Sequence, residues 1–484
     1  MKQSVIFALV ISLMFSTVCI SAERGYAVVV SKATHAKKTW KSVVDALVSK
    51  HTATVVVFDE SVSDSLQDLQ TQFPRFTCFV ATPEEASRDF VAAVHQLTRQ
   101  FDDDPYTDTL WGILTGYDAD CALRIAKTTK PLTVNKVASG TEVALEKCQQ
   151  GIWYCELEQH RMVRKELGKP AKQERGPADT TKALVDTLNR YQADLFVTSG
   201  HASERNWQIG FRYRNGSFRC EKGRLYGLDT HGDKHVVESK NPKVFLPIGN
   251  CSMGHIDNRD AMALAYMNSA GVTQMIGYTV PTWFGYGGWG CLDYFVEQPG
   301  RYTFVEAFFA NHHALVHHLE NKTGDQRGLS FDRDVVALYG DPAWEAKMAD
   351  GAKHFEQTLT ETNGVYTLSI VPKMGDQSFK PVNTNGSQRG GRPIVAYLPH
   401  RIGSAEIISG LQLQPTITDD FVLVPLPKNY KPNREYKVVF RAAPVGERIS
   451  QQDNKAIKSV NPNSTTEVDD RFPPTSTSPS SRGR

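Results

Sequence analysis

The sequence predicts an α/β protein: a parallel sheet built in two α/β halves, followed by a small β-sandwich and a disordered tail. Three observations carry this. Short apolar runs alternate with amphipathic helical segments up to the region before Gly351, the pattern of βαβ units. Around Gly351 the pattern changes to short alternating strands separated by turns, as in a sandwich. Beyond Pro444 the chain is polar, and its end, Pro473-Pro474-Thr475-Ser476-Thr477-Ser478-Pro479-Ser480-Ser481, has too little apolar surface to offset the entropy of ordering.

The chain opens with Met1-Lys2-Gln3, runs apolar from Val5 to Ile20 and reaches Ser21-Ala22 before Glu23. A basic start, a short apolar core and a small residue at the cut mark a secretory signal peptide cleaved near Ala22. The run is short and poorly flanked for a permanent anchor. Cys19 follows Val18, a large residue for the position before a lipid-modified cysteine, so no lipid anchor is expected there. No later segment is apolar enough to span a bilayer. The mature protein is expected to be secreted or held at the cell envelope, without a transmembrane anchor.

Residues 26–31 read as a strand, and residues 38–50 as an amphipathic helix with Trp40, Val43, Val44, Ala46 and Leu47 at helical spacing. Strands are expected at 54–58, 76–81 and 110–116, with a helix at 90–101 stopped by Asp102-Asp103-Asp104-Pro105. The polar stretch 159–179 reads as a connector between the halves. The second half repeats the logic: a helix at 180–191, a strand at 195–198, and an insertion of short strands over 204–240 with Asn215-Gly216 as a hairpin signal. A strand leading to Cys251, a helix at 260–268 closed by Gly271, a strand at 272–278 and a helix at 302–319 follow. Sandwich strands are expected at 365–371, 394–398, 421–424 and 436–440. The resulting domains are a signal peptide over 1–22, an N-terminal α/β subdomain over 23–170, a second α/β subdomain over 171–352, the sandwich over 353–444 and the tail over 445–484.

At 484 residues the chain suits about three domains. Lys and Arg number 55 against 53 Asp and Glu, a net charge of +2, which provides no basic field for nucleic acid. Of eight cysteines, seven remain after the signal peptide. An odd count in an exported protein suggests one free thiol, best assigned to Cys251; the other six are available to pair, with no connectivity deducible. So few cysteines do not make a disulfide scaffold.

The chemistry centres on His201 and Cys251. Each follows a short apolar run bounded by Gly or Asn, which reads as a buried parallel strand. Functional groups of open α/β sheets gather at the carboxyl ends of their strands. Parallel strands would bring imidazole and thiol to one rim, where the imidazole can take or balance the thiol proton. The 50-residue separation leaves room for a crossover with an insertion, and the His-before-Cys order is that of caspases. The bland alternative is a loop histidine and a buried structural cysteine; the small residues that follow, Ala202 and Ser252, argue against it.

A metal site is the rival chemistry. His201, His231, His235, His255 and Asp257 lack a compact ligand spacing, and His313 and His317, four apart, lack the glutamate of a zincin motif. No catalytic metal and no required cofactor are expected. Asp102-Asp103-Asp104 reads as a solvated acidic turn, with calcium as a structural ion its alternative. The aromatic, Gly-rich segment from Thr279 to Trp289 reads either as a substrate-pocket wall, through Trp283, Tyr286 and Trp289, or as a buried loop packed by aromatics. No acid can be assigned to selectivity; Glu204 and Asp257 are near in sequence only.

Three stretches resemble the gingipain-type cysteine peptidases of the caspase-like superfamily. They are Thr198-Ser199-Gly200-His201-Ala202, Ile248-Gly249-Asn250-Cys251-Ser252-Met253-Gly254 and Val336-Ala337-Leu338-Tyr339-Gly340-Asp341-Pro342. The resemblance covers residues 190–345 and extends upstream only to Trp111-Gly112-Ile113-Leu114-Thr115-Gly116. A β-sandwich after the catalytic domain is also similar to that family. Two departures stand out: His201-Ala202 replaces the usual His-Gly, and Pro247 is unusual in a central strand because it cannot donate to the ladder. The resemblance implies an exported peptidase acting on protein or peptide substrates. Cys251 would attack the scissile carbonyl, His201 would move the proton, and the N–H groups of Ala202 and Cys251 would hold the oxyanion, each donor worth about 3–4 kcal/mol. The alternative is a non-catalytic surface or assembly protein on the same fold, against which the intact His201/Cys251 pair argues.

Overall fold

Tyr26–Ser31 is buried at every residue, as a central parallel strand covered on both faces must be. The structure, a computed structural model, describes residues 25–383, 388–427, 430–432 and 434–445. The expected signal peptide, Cys19 and almost all of the polar tail lie outside the described residues. Twelve strands form one mostly parallel sheet, in the order Thr54–Phe58, Tyr26–Ser31, Phe76–Val80, Leu110–Leu114, Val336–Tyr339, Val272–Tyr278, Lys243–Pro247, Leu195–Thr198, Lys136–Ser139, Gln150–Tyr154, Arg161–Lys165 and Lys172–Arg175. The expected α/β class is the observed one. The two halves share this sheet. They meet at Val336–Tyr339, which pairs antiparallel with Val272–Tyr278 and touches Leu110–Leu114 through Tyr339 and Ile113, and again where Leu195–Thr198 pairs in parallel with Lys136–Ser139, so strands 136–165 of the first half lie beyond those of the second.

The stretch expected to connect the halves is instead sheet edge. Arg161–Lys165 and Lys172–Arg175 add two antiparallel strands beyond Gln150–Tyr154, and the last is exposed at every residue. Its charged side chains obscured the strand pattern, and they are what keeps an edge strand from pairing further.

The carboxyl ends of both halves open on one rim. Glu84, past the strand Phe76–Val80, pairs at 3.0 Å with Arg259, past the Cys251 turn. Arg88 Nε donates to the Thr279 carbonyl at 2.8 Å. At the opposite rim Asp341 is fully buried in the turn after Val336–Tyr339 and accepts hydrogen bonds from Tyr26 Oη, Lys50 Nζ and His51 Nε2, each at 2.8 Å. Burial pushes its carboxyl up, but the bond and charge of His51 and the charge of Lys50 outweigh this and hold it at about 2, below its ordinary 3.8.

The insertion forms an antiparallel sheet of Asn206–Gln208, Ser217–Glu221, Arg224–Leu228 and Lys234–Val236. Its inner face packs Trp207 and Phe218 against Phe196 of the main sheet. Asn215-Gly216 lies in the longer loop before Ser217. The two-residue turn is Lys222-Gly223, with φ of 48° and 70°, both left-handed as a type I′ turn requires.

Two antiparallel sheets follow. One is Phe355–Thr362, Val365–Pro372, Tyr436–Ala442 and Ala405–Ser409; the other is Ile394–Tyr397, Phe421–Val424 and Thr416–Ile417. Alternation divides the second between two cores. Ile394, Ala396, Val422 and Val424 face the sandwich interior, whereas Val395, Phe421 and Leu423 belong to the main α/β core. All seven cysteines among the described residues are free thiols, so none of the six available to pair does so. Five are buried; Cys148 and Cys291 donate to the Ala144 and Gly287 carbonyls of their own backbone turns, as small apolar residues with a weak donor. Among the described residues no helix is long and apolar enough to cross a membrane.

Candidate active site

The strands leading to the two residues of interest, Leu195–Thr198 and Lys243–Pro247, are parallel neighbours in register from Leu195 opposite Val244 to Thr198 opposite Pro247. Ile248 N–H donates to the Thr198 carbonyl at 2.9 Å, so pairing on this side continues past the proline. On the other side, pairing with Val272–Tyr278 runs only to Phe245 and Met275, so the missing Pro247 N–H falls beyond the ladder. His201 and Cys251 therefore leave adjacent strands at the same carboxyl rim.

Asn250 ties the two turns together. Its Oδ1 accepts from Thr198 Oγ1 at 2.6 Å, its Nδ2 donates to the Gly200 carbonyl at 3.0 Å, and the side chain is buried. Gly200 has φ of 93°, open to glycine at little cost. Ser252, directly after Cys251, has φ of 52°, an uncommon conformation for a residue with a Cβ, and its N–H is held by the Val280 carbonyl at 2.9 Å.

The His201 ring is exposed and stacks on Phe211 with centroids 4.7 Å apart. Residues 201–203 fold back on 206–208. Gln208 N–H donates to the His201 carbonyl at 2.9 Å and Ser203 N–H to the Asn206 carbonyl at 2.8 Å. Ala202 and Trp207 are thus a non-hydrogen-bonded pair, and the Ala202 N–H points away from its partner strand. Trp207 Nε1 anchors this hairpin on the Ser199 carbonyl at 2.6 Å.

Cys251 is half-buried; its Sγ donates to the Thr282 carbonyl and accepts from the Thr282 N–H, both at 3.3 Å. Trp283 is 72% exposed, its ring 4.7 Å from that of Phe331. Of the two readings of this segment, the buried one holds for Tyr286 and Trp289, whose rings are buried, though on a helix, Tyr286–Phe295, and not on a loop. Glycines make this packing possible. A Cβ on Gly288 would lie 1.9 Å from the Ile248 carbonyl oxygen, so only glycine lets the helix press against the cysteine strand. The Arg392 guanidinium then covers Tyr286 at 3.6 Å. Asp257 is paired with Arg205 at 2.6 Å, and the Glu204 carbonyl accepts from Met262 N–H at 2.8 Å.

Sequence reasoning missed Glu156. It lies just past the strand Gln150–Tyr154, at the same rim as His201 and Cys251. Its carboxylate is buried; Oε1 accepts from Thr141 Oγ1 at 2.7 Å, and Oε2 is 3.4 Å from where a Gly200 Cβ would stand. Its backbone carbonyl accepts from the N–H groups of Phe211, at 2.6 Å, and Arg212. One residue thus supports both the loop and the ring under His201. The signal was legible: an acid at a strand end, as for the other two residues.

The histidines weighed as metal ligands do not converge. His235 pairs with Asp229 at 2.9 Å, and His313 is buried in a stack on Phe421 at 4.2 Å. Two other groupings of potential ligands exist among the described residues. In His95, His312 and Asp334, the Nε2 atoms bond the Val336 and Arg333 carbonyls and Asp334 pairs with Arg99 at 2.8 Å. In the other, Asp102 and Asp104 of the acidic turn meet Asp419.

Burial and the neighbouring carboxylates raise Asp104 to about 7 and Asp108 to about 9, and they raise Asp419 as well, against its pairing with Arg401. Opposite pH limits to stability follow. Asp341, depressed to about 2, contributes about 2 kcal/mol above pH 4 that is lost as pH falls toward 2. The raised carboxyls bind protons more tightly folded than unfolded, so their contribution is lost as pH rises from 4 through 7 to 9. Urea midpoints should peak between these limits. Asp341→Asn should flatten the acid limb and Asp108→Asn the alkaline one; unchanged limbs in both variants would refute this assignment.

No family model matches the chain, and no curated protein matches it. Among solved structures it is similar to the complex of Porphyromonas gingivalis RgpB pro- and mature domains, at 12% identity and a TM-score of 0.44, over 84% of this chain and 94% of that one. It is also similar to a structure described as a protease, at 10% identity and a TM-score of 0.43, over 87% of this chain and 96% of that one.

Proposed function

We propose that the chain is an exported cysteine endopeptidase of the gingipain-like type, on a caspase-like fold, hydrolysing peptide bonds through Cys251 and His201. The observation that carries this reading is the placement of both residues at one rim, on adjacent parallel strands tied by Asn250. Cys251 Sγ gives its proton to His201 and attacks the scissile carbonyl. The oxygen becomes an oxyanion held by the N–H groups of Ala202 and Cys251. The C–N bond then breaks as His201 returns the proton to the leaving amine, and water hydrolyses the acyl-enzyme with His201 as base. The thiol must first turn from the Thr282 carbonyl toward the imidazole. Its present bond is the observation that favours the second reading, a non-catalytic surface or assembly protein.

Glu156 acts as a positioning residue for the His201 loop. Glu156→Gln should lower kcat roughly 100-fold with little change in KM and shift the pH–rate profile, and Glu156→Asp should recover part of the rate. A KM effect alone, with an unchanged pH profile, would reduce Glu156 to a packing role. No cofactor enters the reading. Calcium enters only as a structural ion at Asp102, Asp104 and Asp419, where it would relieve the alkaline loss of stability. The deciding experiment labels the exported protein with a peptidyl electrophile and maps the modified residue. Modification at Cys251 supports the peptidase; none with any peptide of a broad panel favours the assembly protein. Amino-terminal sequencing of that protein tests export, with a start at Glu23 expected.

A further inference from the structure

We propose that the outer face of the insertion sheet is the subsite for the leaving side of the substrate, and that it selects aspartate and glutamate side chains beyond the cleaved bond. This rests on the peptidase reading.

Residues directly opposite each other in an antiparallel pair project on the same face. His201 stands opposite Gln208, Gln208 opposite Ser217, and Ser217 opposite Leu228. Trp207 and Phe218, one residue out of phase, fill the core. The His201 ring therefore stands at the head of a row that crosses the outer face of the sheet. That face carries an open groove lined by Gln208, Ser217 and Leu228 from this row and by Asn206, Arg214 and Arg219 beside it.

In the proposed reaction His201 protonates the leaving amine, so the part of the substrate beyond the cleaved bond departs from the imidazole. The row gives it a path. Exposed Phe211, stacked on His201, offers an apolar step at the start. Strands about 4.8 Å apart and about 3.3 Å per extended residue put Gln208 to Arg219 opposite the second to fourth residues beyond the bond.

Charge identifies what those residues are. Arg219 Nε donates to Ser217 Oγ at 3.2 Å and Arg214 Nη2 to the Thr230 carbonyl at 3.4 Å; neither forms an ion pair among the described residues. The groove's carboxylate, Asp229, is bonded to His235 Nε2 at 2.9 Å and to the N–H groups of His231 and Asp233, which draw its charge inward. Two guanidiniums over a floor of amides and a hydroxyl match carboxylates on an extended peptide.

The test uses two substrate sets with matched acyl sides, varied over Arg, Lys, Asp and Asn before the bond. One set ends in a chromogenic amine with nothing beyond it. The other continues for five residues, either acidic, neutral or lysine-containing. The acidic extension should be cleaved with kcat/KM roughly tenfold above the lysine extension at low salt, the ratio shrinking as salt is added. Arg214→Glu with Arg219→Glu should invert the ratio and leave the chromogenic substrates unaffected. Equal kcat/KM for acidic and lysine extensions, or a preference that survives in the double variant, overturns the subsite while cleavage of the chromogenic set upholds the peptidase. Cleavage of neither set overturns both.

Discussion

Cys251→Ala should abolish peptide hydrolysis, with a loss of about 10⁴-fold or more in kcat. In the proposed mechanism the substitution removes the attacking atom, and the oxyanion donors that remain cannot supply a nucleophile. Cys251→Ser should behave almost alike, because a hydroxyl is a far weaker acid than a thiol and the site holds no group arranged to deprotonate it as effectively. The thiol is half-buried and its partners are the backbone of Thr282, so neither change should disturb the fold by more than about 1 kcal/mol. Cys220→Ser and Cys291→Ser are the controls. Their sulfurs donate to the carbonyls of Asp260 and Gly287, which a hydroxyl can also do, and turnover should persist. The measurement is single-turnover cleavage across the peptide panel, with urea midpoints alongside. Activity retained in Cys251→Ser would end the mechanism.

His201→Ala should cost roughly 10³- to 10⁴-fold in kcat. In the proposed mechanism it removes both the acceptor for the thiol proton and the donor for the leaving amine. Its effect should not add to that of Cys251→Ala, because the two act as one unit. The ring is exposed and stacked on Phe211, so the variant should keep its urea midpoint. Slower labelling of Cys251 by an electrophile would place the loss at activation of the thiol. Labelling at the parent rate, together with unchanged turnover, would remove His201 from the chemistry and favour the assembly-protein reading.

The remaining partners of this pair are placed by packing. Asn250 joins the two turns through side-chain bonds across neighbouring strands, and Glu156 approaches Gly200 from a third strand end. Both depend on the strand order Lys243–Pro247, Leu195–Thr198, Lys136–Ser139, Gln150–Tyr154. No spacing along the chain encodes that order.

Patterning along the chain carries local information. Periods of two and 3.6 residues, with Gly and Asn as stops, located the main strands and helices, because burial on one face is written into neighbouring residues. The α/β class and the strand-end positions of His201 and Cys251 followed from this. The tertiary structure alone decided which distant groups meet. Asp419 joins an acidic turn more than 300 residues away, and Asp341 gathers Tyr26 from the strand Tyr26–Ser31 and Lys50 and His51 from the helix Lys38–His51 of the other half. It also decided that Tyr286 and Trp289 turn inward, that charged residues 161–175 pair as an edge, and that the seven thiols stay apart. The physical reason is common to all of these. Local periodicity reports how much of a side chain is buried, whereas the identity of its partner is set by strand order and by close approaches that small residues such as Gly288 permit.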